Sequence, residues 1–223
     1  MRIVYNRINV CFDLRKDKLN FITVENARYF EDLVISIYEQ IKKKSVKLGF
    51  YINDKEEALH KFADIICSPM DITYDKKELQ KKLVEMLVKE IQINDIESEL
   101  VELHSKFVDA LEKVQEASEF DIDFSDDFEL AHLVKEYDLH LKEPEGFFSE
   151  RLLEYMGTVR NLLNKEVFVL INCSSYLEDE DYTHISKWAN YQEVYILFVN
   201  NYQKKLNTEV NEYIIDRDLC LLH

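Results

Sequence analysis

Glycine and proline are scarce in this chain, with three glycines and two prolines among 223 residues. So few breakers leave little room for flexible linkers or disordered tracts and favour a packed, helix-rich protein. The same scarcity removes the Gly-rich turns that cradle phosphates. Gly49, Gly146 and Gly157 follow no predicted strand, and neither G-x-x-x-x-G-K-[ST] nor G-x-G-x-x-G occurs. Cys11, Cys67, Cys173 and Cys220 lie far apart and form no C-x-x-C pair. Set in apolar runs, they are expected to be buried thiols in a reducing cytoplasm. No apolar run approaches the ~18–20 residues of a membrane span. The stretch from Met1 to Arg7 has no signal-peptide core, so no membrane partner is expected. His60, His104, His132, His140, His184 and His223 are scattered without zinc spacing. Ser174 follows a predicted strand but lacks the G-x-S-x-G frame of a nucleophile elbow.

Apolar residues are 47% and aromatics 12% of the chain, enough for a substantial core, and the length suits one large domain or two modest ones. The net charge of −16 is unevenly spread. Between Asp95 and Glu129 thirteen acids face only Lys106 and Lys113, a net of −11, while the other 188 residues carry −5. A uniformly acidic protein would repel nucleic acid. A locally acidic one need not, provided lysines gather elsewhere or cations neutralise the acidic block.

Along the chain, residues 8–14 and Phe21–Val24 read as strands joined by the polar turn 15–18. Asn26 is positioned to cap a helix with Phe30, Val34, Ile37, Tyr38 and Ile41 at helical spacing, closed by Lys42, Lys43 and Lys44. Phe50–Ile52 and Ala63–Cys67 read as further strands, the second stopped by Pro69. From Asp75 to about Ser118 the pattern is helical, with a break at Gln92–Asp95 that permits an antiparallel pair or a bent arm. Asp75 with Glu78, and Asn94 with Glu97, have helix-start spacing. In the second helix Ile93, Ile96, Leu100, Leu103, Phe107, Ala110, Val114 and Ala117 alternate three and four apart, a heptad seam expected to serve as core packing. A short helix is predicted around Phe128–Tyr137, and Pro144 with Gly146 marks a joint. Beyond it come a helix to Leu163, the continuous apolar strand Val167–Ile171, an acidic helix from about Glu178 to Tyr191, and strands at Val194–Val199 and near Leu219–Leu222. Buried strands around a helix make a βαβ unit in a mostly parallel sheet, which the N-terminal strands are expected to join. The fold class is therefore α/β: a head formed by residues 1–74 and 147–223, with an elongated α-helical lobe, residues 75–146, inserted in it.

Between the helical arm and the short helix, Glu119–Glu129 holds six carboxylates and three aromatics in eleven residues. Phe120, Ile122 and Phe124 alternate with Asp121 and Asp123, which suits an extended segment with one apolar face packed and one acidic face free. Asp126 stands three residues before Glu129, as an N-cap stands before its reciprocal acid. Two chemistries fit. Acids at a helix start satisfy free N–H groups and complement the dipole. Alternatively, Glu119, Asp121, Asp123, Asp126 and Asp127 supply the oxygens that a hard cation such as calcium takes. An EF-hand is excluded, because Asp126 stands where that loop needs Gly and His132 where it needs a bidentate Glu.

The chain resembles the Csn-two family, the small spacer-acquisition proteins of type II-A CRISPR systems. The matching blocks are Phe21–Glu25 with the helix through Tyr38, Leu163–Asn172 with Tyr176 and Leu177, Val194–Phe198, and Tyr213–Asp218. The resemblance implies a head with an NTPase-like core lacking a phosphate loop, and a helical leg. It implies a homotetrameric ring, stabilised by calcium, that encircles the ends of linear double-stranded DNA without catalysis. It further implies work alongside the CRISPR integrase complex and effector nuclease in acquiring new spacers for antiviral defence. By position, Asp123, Asp126 and Asp127 match the family's calcium segment and Lys135 a channel lysine. His140 stands where another lysine is expected, with Lys142 two residues on. Two other classes fit the composition: an acidic coiled-coil scaffold binding only protein, and a degenerate nucleotide-handling α/β enzyme.

Overall fold

Two short stretches, Asn20–Val24 and the wholly apolar Val167–Ile171, are buried at every position. Strands covered on both faces cannot lie at the surface of a one-sided sheet, and they become the middle of a parallel one. The computed structural model describes residues 1–41, 47–207 and 209–222. In it the strands are β1 (Arg2–Tyr5), β2 (Val10–Asp13), β3 (Asn20–Val24), β4 (Leu48–Ile52), β5 (Lys55–Glu56), β6 (Ala63–Ile66), β7 (Val167–Ile171), β8 (Tyr195–Asn200), β9 (Asn211–Ile215) and β10 (Leu221–Leu222). The helices are α1 (Ala27–Ile41), α2 (Lys77–Ile93), α3 (Glu97–Ala117), α4 (Leu130–Glu136), α5 (Phe148–Leu163) and α6 (Asp179–Gln192). A six-stranded sheet runs β10-β9-β3-β8-β7-β6, parallel throughout except for β10. The fold is thus α/β with a largely parallel sheet, as expected.

Alternation along the central strands divides the core in two. Ile22, Val169, Leu197 and Val199 face a cluster completed by Leu33 and Ile37 of α1 and by Ile3, Tyr5, Phe12 and Phe50. The residues between them face α5 and α6: Phe21 stacks on Phe198 with ring centres 4.6 Å apart, Tyr182 tilts against Phe198, and Phe168 meets Trp188 edge-on. Asn20 ties the strand ends together while fully buried. Its amide nitrogen donates to the carbonyls of Arg15 and Ile196 at 2.9 and 3.0 Å, and its oxygen accepts from the Arg15 N–H and the Asn211 amide. A buried amide with all these partners adds specificity where an unsatisfied one would cost stability.

The N-terminal strands divide differently from the expectation. Only β3 joins the large sheet; β2-β1-β4-β5 form a separate antiparallel one. The reason is legible in burial: in β2, Phe12 is buried between exposed Cys11 and Asp13, the one-sided pattern of an antiparallel sheet with a wet face. The expectation for the cysteines is corrected as well. Cys173 is buried, but Cys11, Cys67 and Cys220 are exposed. Burial pushes the Cys173 thiol up to about 12. Asp32, nearly buried, accepts hydrogen bonds from Tyr5 Oη at 2.7 Å and Lys47 Nζ at 2.9 Å and pairs with Arg7. Burial alone would raise its carboxyl, and these partners together hold it below the ordinary value. In α1, Asn26 Oδ1 accepts the Arg28 N–H at 3.2 Å, as a cap does. Tyr38, expected on the packed stripe, is half exposed. Lys42, Lys43 and Lys44 lie outside the described residues.

The chain divides into two units, Met1–Thr73 with Glu143–His223, and Tyr74–Lys142. In the second, α2 packs chiefly against α4, and the buried apolar residues are Tyr74, Leu79, Leu83, Leu130 and Val134. The break between α2 and α3 is made by Asn94, whose side chain donates to the Glu90 carbonyl at 2.8 Å, and by Asp95 in the left-handed region at φ 55°. Asn94 does not cap a helix start: Ile96 precedes α3, without a side-chain cap. The heptad seam is not core packing, since α3 has no buried residue and Leu103, Phe107 and Val114 are about three-fifths exposed.

Candidate nucleic-acid and metal-binding surfaces

The acidic stretch and the predicted lysines all belong to the helical unit. Residues 119–129 adopt neither helix nor strand. They run back beside α3: Gln115 donates to the Ile122 carbonyl, His104 Nε2 donates to the Asp126 carbonyl at 3.0 Å, and the His104 and Phe128 rings are 4.9 Å apart. These bonds fix the strip by its backbone and leave its carboxylates outward. Glu119, Asp121, Asp123, Asp126 and Asp127 are all exposed. Asp123 Oδ1 accepts the Phe124 N–H at 3.0 Å, and Asp127 Oδ2 accepts from Ser125 Oγ at 2.8 Å. Among the described residues no three His, Cys, Asp or Glu side chains gather closely enough to hold a metal ion. A single copy therefore presents the five carboxylates as a strip and not as a coordination sphere.

Two expectations for this strip are corrected. The apolar face is not packed: Phe120 is 78% exposed and Ile122 41%, and only Phe124 and Phe128 are half-buried. Asp126 does not cap a helix. Glu129 precedes α4, again without a side-chain cap, because burial of Leu130 and Val134 sets where that helix begins.

Lys135, in the last turn of α4, lines a groove of about 630 Å³ together with Lys77 and Lys81 of α2. Asp75, Gln80, Val84, Glu85, Asp138 and Leu139 complete it. Lys82 donates to Glu85 at 2.6 Å, which holds that carboxyl below its ordinary value, and Lys81 lies 4.0 Å from it. Lys77 and Lys135 make no ion pair among the described residues, so their ammonium groups are open to an anion. Lys142 is exposed and stands apart from this groove, as does His140, whose Nδ1 donates to the Asp138 carbonyl at 2.6 Å. Sequence alone did not single out Lys77 and Lys81. Their spacing of four put them on one helix face, but only the packing of α4 on α2 brings Lys135 to that face.

No helix among the described residues is long and apolar enough to cross a membrane. Among solved structures, the chain resembles Stu0660 of Streptococcus thermophilus with a TM-score of 0.66 over 97% of this chain and 75% of that one. At 12% identity that likeness is one of fold. A nucleotide-free ATP-binding cassette from an ABC transporter also matches, over 92% of this chain and 79% of its own at 15% identity, but its TM-score of 0.45 is too low to build on. The family model described as CRISPR-associated protein (Cas_Csn2) matches residues 40–219, from the end of α1 to the turn before β10. The chain belongs to the Cas_Csn2 family of CRISPR-associated proteins.

Proposed function

We propose that this protein binds the ends of linear double-stranded DNA as a calcium-stabilised homotetrameric ring. In that role it supports CRISPR adaptation, the acquisition of new spacers, beside the integrase complex and the effector nuclease. The observation that carries this is the family match over residues 40–219. It supplies the CRISPR role, and the groove brings Lys77, Lys81 and Lys135 together on an acidic chain, beside Asp75, Glu85 and Asp138. Lys135 and Lys142 contact phosphates in this proposal, with His140 beside them. Phosphate contacts carry no sequence information, so binding is indifferent to base order.

Calcium, in the same proposal, is held by carboxylates of Asp121, Asp123, Asp126 and Asp127, with Glu119 at the margin. Calcium takes six to eight oxygens, and one chain offers no closed set, so the remainder comes from another copy. In this proposal the protein performs no chemistry of its own, and no Gly-rich turn follows β3, β7 or β8 to cradle a nucleotide's phosphates.

A gel shift with linear duplex, with calcium and with chelator, tests the whole. Retarded complexes are expected only with calcium. Calcium should also raise the melting temperature, because a ligand of the native state stabilises it by mass action. Replacing Asp123 and Asp126 with Asn should abolish that rise and leave the fold intact. An undiminished calcium response in the double variant would move the ion elsewhere, and equal retardation in chelator would remove it from the mechanism.

A further inference from the structure

Cys67 and Cys173 follow β6 and β7, neighbouring strands of the parallel sheet. Ile66 pairs with Leu170 in that register, so Cys67 leaves the sheet beside Ile171, two residues before Cys173. The Cys173 thiol points back at β6. Its Sγ donates to the Ile66 carbonyl at 3.2 Å, with the Ile171 carbonyl at 3.5 Å. Across a trans peptide bond, the Ile66 oxygen lies within about 2.8 Å of the Cys67 Cα. The Cys173 sulfur is therefore no more than about 6 Å from that Cα. Rotation about the Cys67 Cα–Cβ bond, with a small shift of either turn, brings the two sulfurs to bonding distance.

The two thiols differ in access. Cys173 has no exposed surface, whereas Cys67 is exposed. Both turns are held by the fold. Asp71 Oδ2 accepts the N–H groups of Cys67 and Ser68 at 2.7 and 2.9 Å. Ser174, next to Cys173, accepts from Lys204 Nζ at its carbonyl at 3.2 Å and from the Asn200 amide at its hydroxyl at 2.9 Å. Neither cysteine belongs to the lysine groove or the acidic strip, both of which lie in the helical unit.

We propose that Cys67 and Cys173 are a reversible disulfide pair, closed by exchange with a low-molecular-weight disulfide. Cys67 is the point of entry. Its thiolate attacks the small disulfide, forms a mixed disulfide and releases one small thiolate, which takes up the proton Cys67 gave up. The Cys173 sulfur then attacks the Cys67 sulfur and displaces the second small thiolate, which carries off the Cys173 proton. Each protein sulfur is oxidised by one electron, and the small disulfide is reduced to two thiols. Burial and the Asp71 carboxylate push the Cys67 thiol above its ordinary value, and burial pushes Cys173 up to about 12. Protonated thiols exchange slowly, so the pair does not respond to every passing oxidant. The same protonation leaves the reduced form without a stabilised thiolate, so a bridge once formed resists reduction. The bridge would join residues on either side of the whole helical unit, Tyr74–Lys142. Closing so long a loop restricts the unfolded chain, and the bridged protein should melt at a higher temperature.

The test uses the full chain with Cys11→Ser and Cys220→Ser, which removes the two other exposed thiols. It is incubated with excess oxidised glutathione at about pH 8, quenched with acid, and followed by intact mass and peptide mapping. The expected product has lost two hydrogens, carries no glutathione and maps as a Cys67–Cys173 link. A dithiol reductant should restore the starting mass and lower the melting temperature again. Adding Cys173→Ala should stop the reaction at a glutathione adduct on Cys67. Because that variant opens space in the core, Cys67→Ser supplies a second reading: Cys173 should remain a free thiol in the folded protein and react once urea is added. A glutathione adduct that persists on Cys67 while Cys173 stays free would overturn the pair. So would a link between the Cys67 residues of two copies, ready modification of Cys173 in folded Cys67→Ser, or a bridged protein that melts below the reduced one.

Discussion

Phe198 and Phe107 occupy opposite environments in one chain. Phe198 has no exposed surface, stacked on Phe21 with Tyr182 tilted against it, whereas Phe107 is 63% exposed on α3. The contrast extends to their units. Every residue of β3 and β7 is buried, while the helical unit hides only Tyr74, Leu79, Leu83, Leu130 and Val134. The same residue type thus serves two purposes. Phe198 is consumed by the folding of the head, and Phe107 remains at the surface of the helical unit. Large exposed apolar residues aligned on one face are a surface built for contact.

The largest expected effect separates these two phenylalanines. Phe198→Ala should lower the head's stability by about 3–5 kcal/mol, as for other buried aromatic truncations. Phe107→Ala should change it by no more than about 0.5 kcal/mol. Urea melts followed by tryptophan fluorescence report on the head, because the single tryptophan, Trp188, lies on α6. Equal losses in both variants would erase the distinction between the units.

A smaller effect is expected at Asp32. Its hydrogen bonds to Tyr5 and Lys47 and its pairing with Arg7 are charge-assisted, so Asp32→Asn should cost about 1.5–3 kcal/mol at neutral pH. Its folded carboxyl titrates below the ordinary value. The contribution is therefore present above the unfolded pKa of about 3.9 and is lost as pH falls through the folded pKa. The gap between wild type and variant should close as the pH drops below about 4, and a gap that widened there would reverse the sign of the assignment.

The smallest effects are those of the helical unit's lysines. Lys135→Ala and Lys142→Ala should leave thermal stability unchanged and weaken duplex binding equally for all sequences. Each should flatten the dependence of log K on log salt by roughly one unit for every phosphate it no longer neutralises. Lys77→Ala should follow Lys135→Ala, because both line the same groove. In a symmetric ring one substitution removes the same lysine from every subunit, so the measured slope can change by more than one. A variant that altered base preference would place its lysine on base edges instead.

These differences also show what a sequence discloses. Val167–Ile171 announces a buried parallel strand because a run with no polar residue has no wet face to offer. The separate antiparallel sheet was not legible, because β1 pairs with β4 some forty-six residues away, and no local pattern encodes that partner. Two expected caps, at Asn94 and Asp126, do not form. An acid three residues after a polar residue is common in so acidic a chain, and the true starts follow burial of Leu79 and Leu130. The α3 seam was legible as a stripe, since periodicity reports which residues share a face. It cannot report whether that face is covered, and here nothing among the described residues covers it. The carboxylates were found by composition alone, whereas the groove needed the packing of α4 on α2.

Topology of the DNA tests the central claim most directly. A preassembled ring can load only over a free end, and a chain at −16 has no general positive surface for holding a duplex from one side. Binding should be measured with calcium, at matched salt, to a linear duplex and to a covalently closed circle of the same sequence. Tight binding to the linear form, little to the circle, recovery when the circle is cut once, and loss when both ends carry bulky caps are the predicted results. Equal affinity for the closed circle and the linear duplex would contradict threading.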